Sequence, residues 1–205
     1  MTHVRTLADG TRVLIRPLLS SDRADLAAGF HRLSPEARHL RFVIPPSELS
    51  DHDLDYLTNL DYQDHFAWAA FAFEMPDQPG IGVARYVRDP ADPTTAEAAV
   101  TVLDEYQHRG LGTLLTRMLG DVAAEHGIRT FVNYVLWENA KVIAQLRDEG
   151  ARVSVEEPGL ARIELDIPAP HAERPDTSLH RILRAFSDAV RRALGLVQPG
   201  PPQSA

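Results

Sequence analysis

Residues 104–119 read DEYQHRGLGTLLTRML, and the informative part is Gln107, His108, Arg109, Gly110, Leu111, Gly112 and Thr113. Two glycines two positions apart stand between a strand-like run and a long amphipathic one, so a loop opens straight into a helix. The first N–H groups of a helix have no partner within it, and the positive end of the helix dipole adds to their field. Glycine there removes the Cβ that would hold an anion off the backbone. Together these features make a cradle for a phosphate or pyrophosphate. It is not the dinucleotide fingerprint, because Thr113, Leu114 and Leu115 follow without a third glycine. Nor is it a P-loop, because no Gly-Lys-Ser/Thr follows. Arg109, beside His108, reads either as a phosphate partner or as an exposed loop cation.

Glu97 is the second residue with chemistry in it. It stands among Ala96, Ala98, Ala99 and Val100, a carboxylate in the middle of an otherwise apolar strand. Burial there would raise its pKa toward the range useful for a general base. The competing readings are that Glu97 faces solvent on an edge strand, or that it pairs with an arginine. The absence of cysteine removes thiolate zinc sites, disulfides and a cysteine acyl-enzyme. The histidines show no repeated ligand spacing, so no metal is expected.

The elements that must position these residues follow from periodicity. Asp9-Gly10 is a turn, and residues 11–17 alternate as a strand. Ser20, Ser21 and Asp22 offer caps for a helix carrying Leu26, Phe30 and Leu33 inward, and Ser34-Pro35 starts another. Ser50 with Asp53 resembles a capping box ahead of Leu54 and Leu57. Strands are predicted at 65–73 and 81–88, joined by a turn at 76–80, and at 96–103. A helix from about Gly110 to His126 ends at Gly127, a strand covers 130–136, and a helix over 138–149 ends at Gly150. Short strands at 152–156 and 162–167 complete an α/β domain with a mixed sheet over residues 1–167. A Pro-rich linker (168–177), an amphipathic helix (178–197) and a disordered tail (198–205) are expected beyond it.

The segment Gln107 to Gly112 matches the Q/R-x-x-G-x-G/A motif of the GCN5-related N-acetyltransferases (GNAT), and the chain resembles that family. Asn139 and Gly150 stand at the family's usual spacing downstream. The chain resembles in particular the catalytic domain of bacterial Pat-type protein-lysine acetyltransferases. The matching segments are Asp9-Gly-Thr-Arg-Val-Leu-Ile-Arg-Pro, Arg32-Leu-Ser-Pro-Glu-Ala-Arg-His-Leu-Arg-Phe and Ala96-Glu-Ala-Ala-Val-Thr-Val, within residues 9–167. The resemblance implies a GNAT fold, with central mixed sheet and flanking helices, and acetyl-CoA as co-substrate. It implies direct attack of an amine on the thioester, with no acyl-enzyme. It puts the base on Glu97 and the oxyanion N–H among Val100, Thr101 and Val102. Asn139 would bond the pantetheine arm, or else cap its helix. The family tyrosine that protonates the leaving thiolate is replaced by Leu146, and Ala151 stands for the usual aromatic. Water or another donor would then supply that proton; Tyr134 and Tyr106 read as structural tyrosines first and as such donors second.

Composition limits the partners. The formal charge of −8 argues against nucleic acid, and no apolar run approaches the ~18 residues of a membrane span, so integral membrane association is not expected. Met1-Thr-His-Val-Arg-Thr has no apolar stretch of a signal peptide, and a cytoplasmic location is expected. Lys141 is the only lysine, which reflects composition bias or the needs of an enzyme that modifies lysines. The acidic stretch 51–64 either attracts a cationic acceptor or is a solvated helix face. Trp68 reads as core, and Trp137 as packing or as groove lining. The acceptor implied is a protein lysine, for instance on an acyl-CoA synthetase. A small-molecule amine is the alternative, as is a weakly catalytic acyl-CoA-binding regulator acting through the C-terminal helix. That helix is expected to pack on its own domain or on a second copy in a homodimer ahead of docking on a partner protein, with a membrane surface last, because only a few of its residues are basic.

Overall fold

The Asp9-Gly10 turn closes on itself: the Leu7 N–H donates to the Thr11 carbonyl at 2.8 Å, and Gly10 takes a φ of 87°. It joins β1 (His3–Thr6) to β2 (Arg12–Pro17) as an antiparallel pair. β1 was not expected from the sequence, because HVRT is short and largely exposed and carries no alternation of its own. The computed structural model describes residues 1–33, 48–75, 77–137, 140–148, 150–157 and 159–167. The helix expected at Ser34-Pro35, Asn139, the linker, the C-terminal helix and the tail lie outside those residues.

Next along the chain come α1 (Arg23–Arg32), entered through a short 3-10 turn at Ser20–Asp22, and α2 (Asp51–Thr58). The Ser50 capping box is present: the Asp53 N–H donates to Ser50 Oγ at 3.2 Å, and the Ser50 N–H to Asp53 Oδ2 at 2.8 Å. The strands β3 (His65–Ala72), β4 (Gly80–Arg88) and β5 (Thr95–Val102) follow as an antiparallel meander. After a second 3-10 turn at Asp104–Tyr106 come α3 (Leu111–Glu125), β6 (Thr130–Leu136), α4 (Ala140–Asp148), β7 (Arg152–Glu157) and β8 (Leu160–Asp166). Gly127 and Gly150, at φ 82° and 91°, end α3 and α4 as their left-handed positions predict.

The eight strands form one sheet in the order β1-β2-β3-β4-β5-β6-β8-β7. Only β5 and β6 run parallel, and they need the α3 crossover between them. Residues opposite one another across a strand pair share a face, which sorts the sheet into two sides. On one side Gly82, Ala84, Tyr86, Ala98 and Val100 meet α3; a Cβ on Gly82 would stand 3.2 Å from Leu115. On the other side Val83, Arg85, Glu97, Ala99 and Thr101 meet α1 and α2. Leu115, Leu119 and Ala123 of α3 are fully buried, and Ile143 and Leu146 bring α4 onto the same core. Among the described residues no helix is long and apolar enough to cross a membrane.

Candidate active site

The glycine segment forms an anion cradle by its backbone alone. His108 and Gly110 both adopt left-handed conformations, at φ 60° and 87°, on either side of Arg109. Alternation of that kind curls successive N–H groups inward into a nest. Gly110 is also the N-cap of α3 and supplies no side-chain cap. The N–H groups of Leu111, Gly112 and Thr113 therefore have no acceptor from within the helix or from its cap. Gln107 plays another part: its Nε2 donates to the Val102 carbonyl and to Asp104 Oδ1, each at 3.1 Å, tying the loop to the end of β5. The Arg109 guanidinium donates to Asp9 Oδ2 at 3.0 Å and lies 5.3 Å from the centre of the Tyr106 ring.

β5 leads from this cradle into a gap in the sheet. It pairs with β4 as far as Val102, opposite Gly82, but with β6 only from Thr95 to Glu97. β6 meanwhile stays paired with β8 to Leu136. Beyond Glu97 the two parallel strands diverge. Which groups of β5 face the opening follows from strand alternation, since the N–H and C=O of one residue point to one side. The Leu103 N–H donates to Ile81 of β4, and the Asp89 N–H to the Thr95 carbonyl. The Arg129 and Thr130 N–H groups reach the Thr94 carbonyl on the other side. Odd positions of β5 thus bond toward β4; on the other side the Ala98 N–H completes the pairing with Val132 of β6, and Val100 and Val102 turn theirs to the gap. Of the three residues expected to supply an oxyanion N–H, Val100 and Val102 face the opening. The Thr101 backbone faces β4, while its Oγ1 is buried without a hydrogen-bond partner.

Glu97 occupies the last paired position before the strands part, opposite Val87 and Val132. It is half-buried in a strand paired on both sides, which excludes the edge-strand reading. On its face of the sheet lies a group of polar side chains that sequence reasoning missed. Arg85 is 2 % exposed, and donates to the Leu57 carbonyl at 3.0 Å while lying 3.2 Å from His65 Nε2. Burial, reinforced by Arg85, pushes His65 down to about 4, so it stays neutral and accepts from Arg85. The Tyr56 ring packs 5.0 Å from that of His65, and its hydroxyl pKa is raised by burial, with Arg85 opposing and Glu97 adding to the rise. Tyr56 therefore sits in the field of both Arg85 and Glu97. The one available signal was the lone charge of Arg85 inside the apolar run from Gly80 to Val87.

Leu146 is 2 % exposed and packed into the core, so the position of the family tyrosine is filled by apolar contact. The Tyr134 hydroxyl accepts from Arg162 at 3.3 Å, and the Tyr106 hydroxyl lies 3.5 Å from Met75 Sδ. Trp68 is core, as expected, whereas Trp137 is exposed beneath Arg147. An extended acyl thioester with a pyrophosphate at one end suits this arrangement: a nest and open helix N–H groups at the end of β5, then the gap-facing N–H groups of Val102 and Val100 on the way back to Glu97. At ~3.3–3.4 Å per residue, the five steps from Val102 to Glu97 cover roughly 17 Å.

Comparison with known proteins agrees with that geometry. Residues 12–152 match the family model described as an acetyltransferase (GNAT) domain. An acetyltransferase of Pseudomonas aeruginosa is 40% identical over 126 residues, 62% of this chain and 67% of that protein. The acetyltransferase Pat of Mycolicibacterium smegmatis is 34% identical over 168 residues, 81% of this chain but only 48% of Pat, so the chain spans about half of that relative. Among solved structures, the GNAT domain of S. lividans PAT superposes with a TM-score of 0.68 at 31% identity, covering 80% of this chain and 96% of that one.

Proposed function

We propose, because this chain belongs to the GNAT acetyltransferase family, that it acetylates a protein lysine, with Glu97 as the base. Acetyl-CoA is the co-substrate of that family. The observation that carries the reading is the position of Glu97, half-buried at the point where β5 and β6 part, with the N–H groups of Val100 and Val102 turned to the gap beyond it. An acceptor amine is an ammonium at neutral pH and cannot attack until it loses a proton, which Glu97 accepts directly or through a water. The amine nitrogen then bonds to the acyl carbon, the carbon–sulfur bond breaks, and the thiolate leaves. Negative charge that develops on the acyl oxygen is met by the N–H of Val100 or Val102, already oriented by the strand. With Leu146 in the core, the thiolate takes its proton from water or from the Tyr134 hydroxyl. The nest from His108 to Gly112 and the first turn of α3 hold the pyrophosphate, with Asn139 on the pantetheine arm.

The stretch 51–64 carries five aspartates against the two arginines that pair with them, Arg23 with Asp51 and Asp55 and Arg88 with Asp64, and this remaining negative charge favours a cationic acceptor surface, such as a lysine-bearing loop of an acyl-CoA synthetase. The test is thiol release from acetyl-CoA with such a synthetase as acceptor, wild type beside Glu97→Gln. A fall of about 10²-fold or more in the variant, with acetyl-CoA affinity retained, is the expected result. Acceptor-dependent release that Glu97→Gln leaves untouched would remove Glu97 from the mechanism. Release with small amines alone would remove the protein acceptor.

A further inference from the structure

A cavity of about 80 Å³ lies between α1, α2 and the sheet, on the face that carries Glu97. Leu26, Phe30 and Leu57 roof it, and Arg85 and Thr101 line its floor. Arg85 stands opposite Ala99 and Thr101 opposite Val83, so the two polar residues flank Ala99, the neighbour of Val100. Asp22 and Asp25 line the cavity as well. They sit at the end near Gly80, where a Cβ would lie 3.8 Å from that of Asp25. That end is five residue steps of β4, roughly 17 Å, from Arg85.

The charges at the two ends are unequally satisfied. Asp22 is held by both terminal nitrogens of Arg16, at 2.6 and 2.7 Å, and by the Leu19 N–H at 2.8 Å. Arg85 has no carboxylate within ion-pair distance among the described residues, and its Nε is buried without a partner. The Thr101 Oγ1, on the same face of the sheet, is also buried and unpartnered. The Arg85 bonds to the Leu57 carbonyl, at the negative end of α2, and to neutral His65 satisfy only two of the five guanidinium N–H groups. A buried guanidinium keeps its proton near neutral pH, and an uncompensated buried charge is strongly destabilising. Two donors that line one cavity as diagonal neighbours across β4 and β5, one of them charged, call for an anionic oxygen ligand rather than a hydrocarbon or a second cation.

We propose that this cavity binds a carboxylate carried by a small reactant, on the Arg85 guanidinium and the Thr101 hydroxyl. The source is either the distal carboxylate of a dicarboxylic acyl-CoA or the carboxylate of an amino-acid acceptor. The proposal rests on the acyl-transfer reading above, since it takes Val100 and Glu97 to mark where the reacting atoms meet.

Calorimetry without acceptor would compare acetyl-, butyryl- and succinyl-CoA, and thiol release would compare amino acids with their carboxamides, in wild type, Arg85→Met and Thr101→Val. If the acyl group is the source, succinyl-CoA binds about tenfold or more tighter than butyryl-CoA, the worth of a charged hydrogen bond. If the acceptor is the source, amino acids exceed their carboxamides by a similar factor in kcat/KM. Arg85→Met abolishes the preference, and Thr101→Val reduces it about threefold or more; the second variant decides should the first fail to fold. Wild-type ratios within about twofold in both arms, or a preference that neither variant changes, overturn the proposal and leave Arg85 as a cap for α2. Acetyl-CoA turnover on a protein acceptor in the same series separates the two ideas. Turnover with flat ratios removes only the carboxylate site, and a carboxylate preference without such turnover removes only the protein acceptor.

Discussion

Glu97 and Arg85 stand on neighbouring strands of one sheet face, and only one of them drew attention in the sequence. Both are single charges in apolar runs, so their setting had to come from what packs over them. His65 belongs to the same group and gives it a pH dependence. Its folded pKa, depressed to about 4 from the usual 6.5, means that the unfolded chain binds a proton more readily across that window. Stability is therefore present above pH 6.5 and falls as pH drops toward 4. Between pH 7.5 and pH 5 the loss from this residue is about 2 kcal/mol. Urea titrations at those two pH values should show it, and His65→Gln should flatten the difference; an equally steep loss in the variant would place the effect elsewhere.

At the scale of elements, the loop that enters α3 does most by conformation. Nothing lies within 4 Å of where a Cβ on Gly110 would be, so a side chain there is opposed by the φ of 87° and not by crowding. Gly110→Val should destabilise by about 1–3 kcal/mol, or else the loop relaxes out of its left-handed geometry. In either case the nest is disturbed, and acetyl-CoA should bind about tenfold or more weakly by calorimetry. Unchanged affinity would mean that the pyrophosphate is held elsewhere. This loop was legible in advance because two glycines between a strand and a helix are local instructions. β1 was not, since a four-residue exposed strand exists only through its pairing with β2.

Across the whole molecule, one apolar core ties α3 to the strands on both sides of the gap, because Leu111, Leu115, Leu119, Phe131 and Ile163 belong to a single cluster. Leu115 is fully buried against Gly82, and Leu115→Ala should cost about 2–5 kcal/mol. The loss should appear as a lower midpoint of one cooperative transition in both far-ultraviolet dichroism and tryptophan fluorescence. Separate midpoints for the two probes would show that the sheet and α3 unfold independently.

The sequence by itself determined what is local: the strand–loop–helix cradle at Gln107 to Gly112, the capping box at Ser50, the glycine stops after α3 and α4, and a lone carboxylate at position 97. These depend on backbone preference and on side-chain periodicity over a few residues. Only the tertiary structure decided that β5 leaves β6 after Glu97, that Val100 and Val102 rather than Thr101 turn their N–H groups to the opening, and that Arg85 lies beneath α2 on the same sheet face as an unpartnered threonine. Those outcomes depend on pairing register and on which helix covers which face, both set by contacts between residues far apart in the chain.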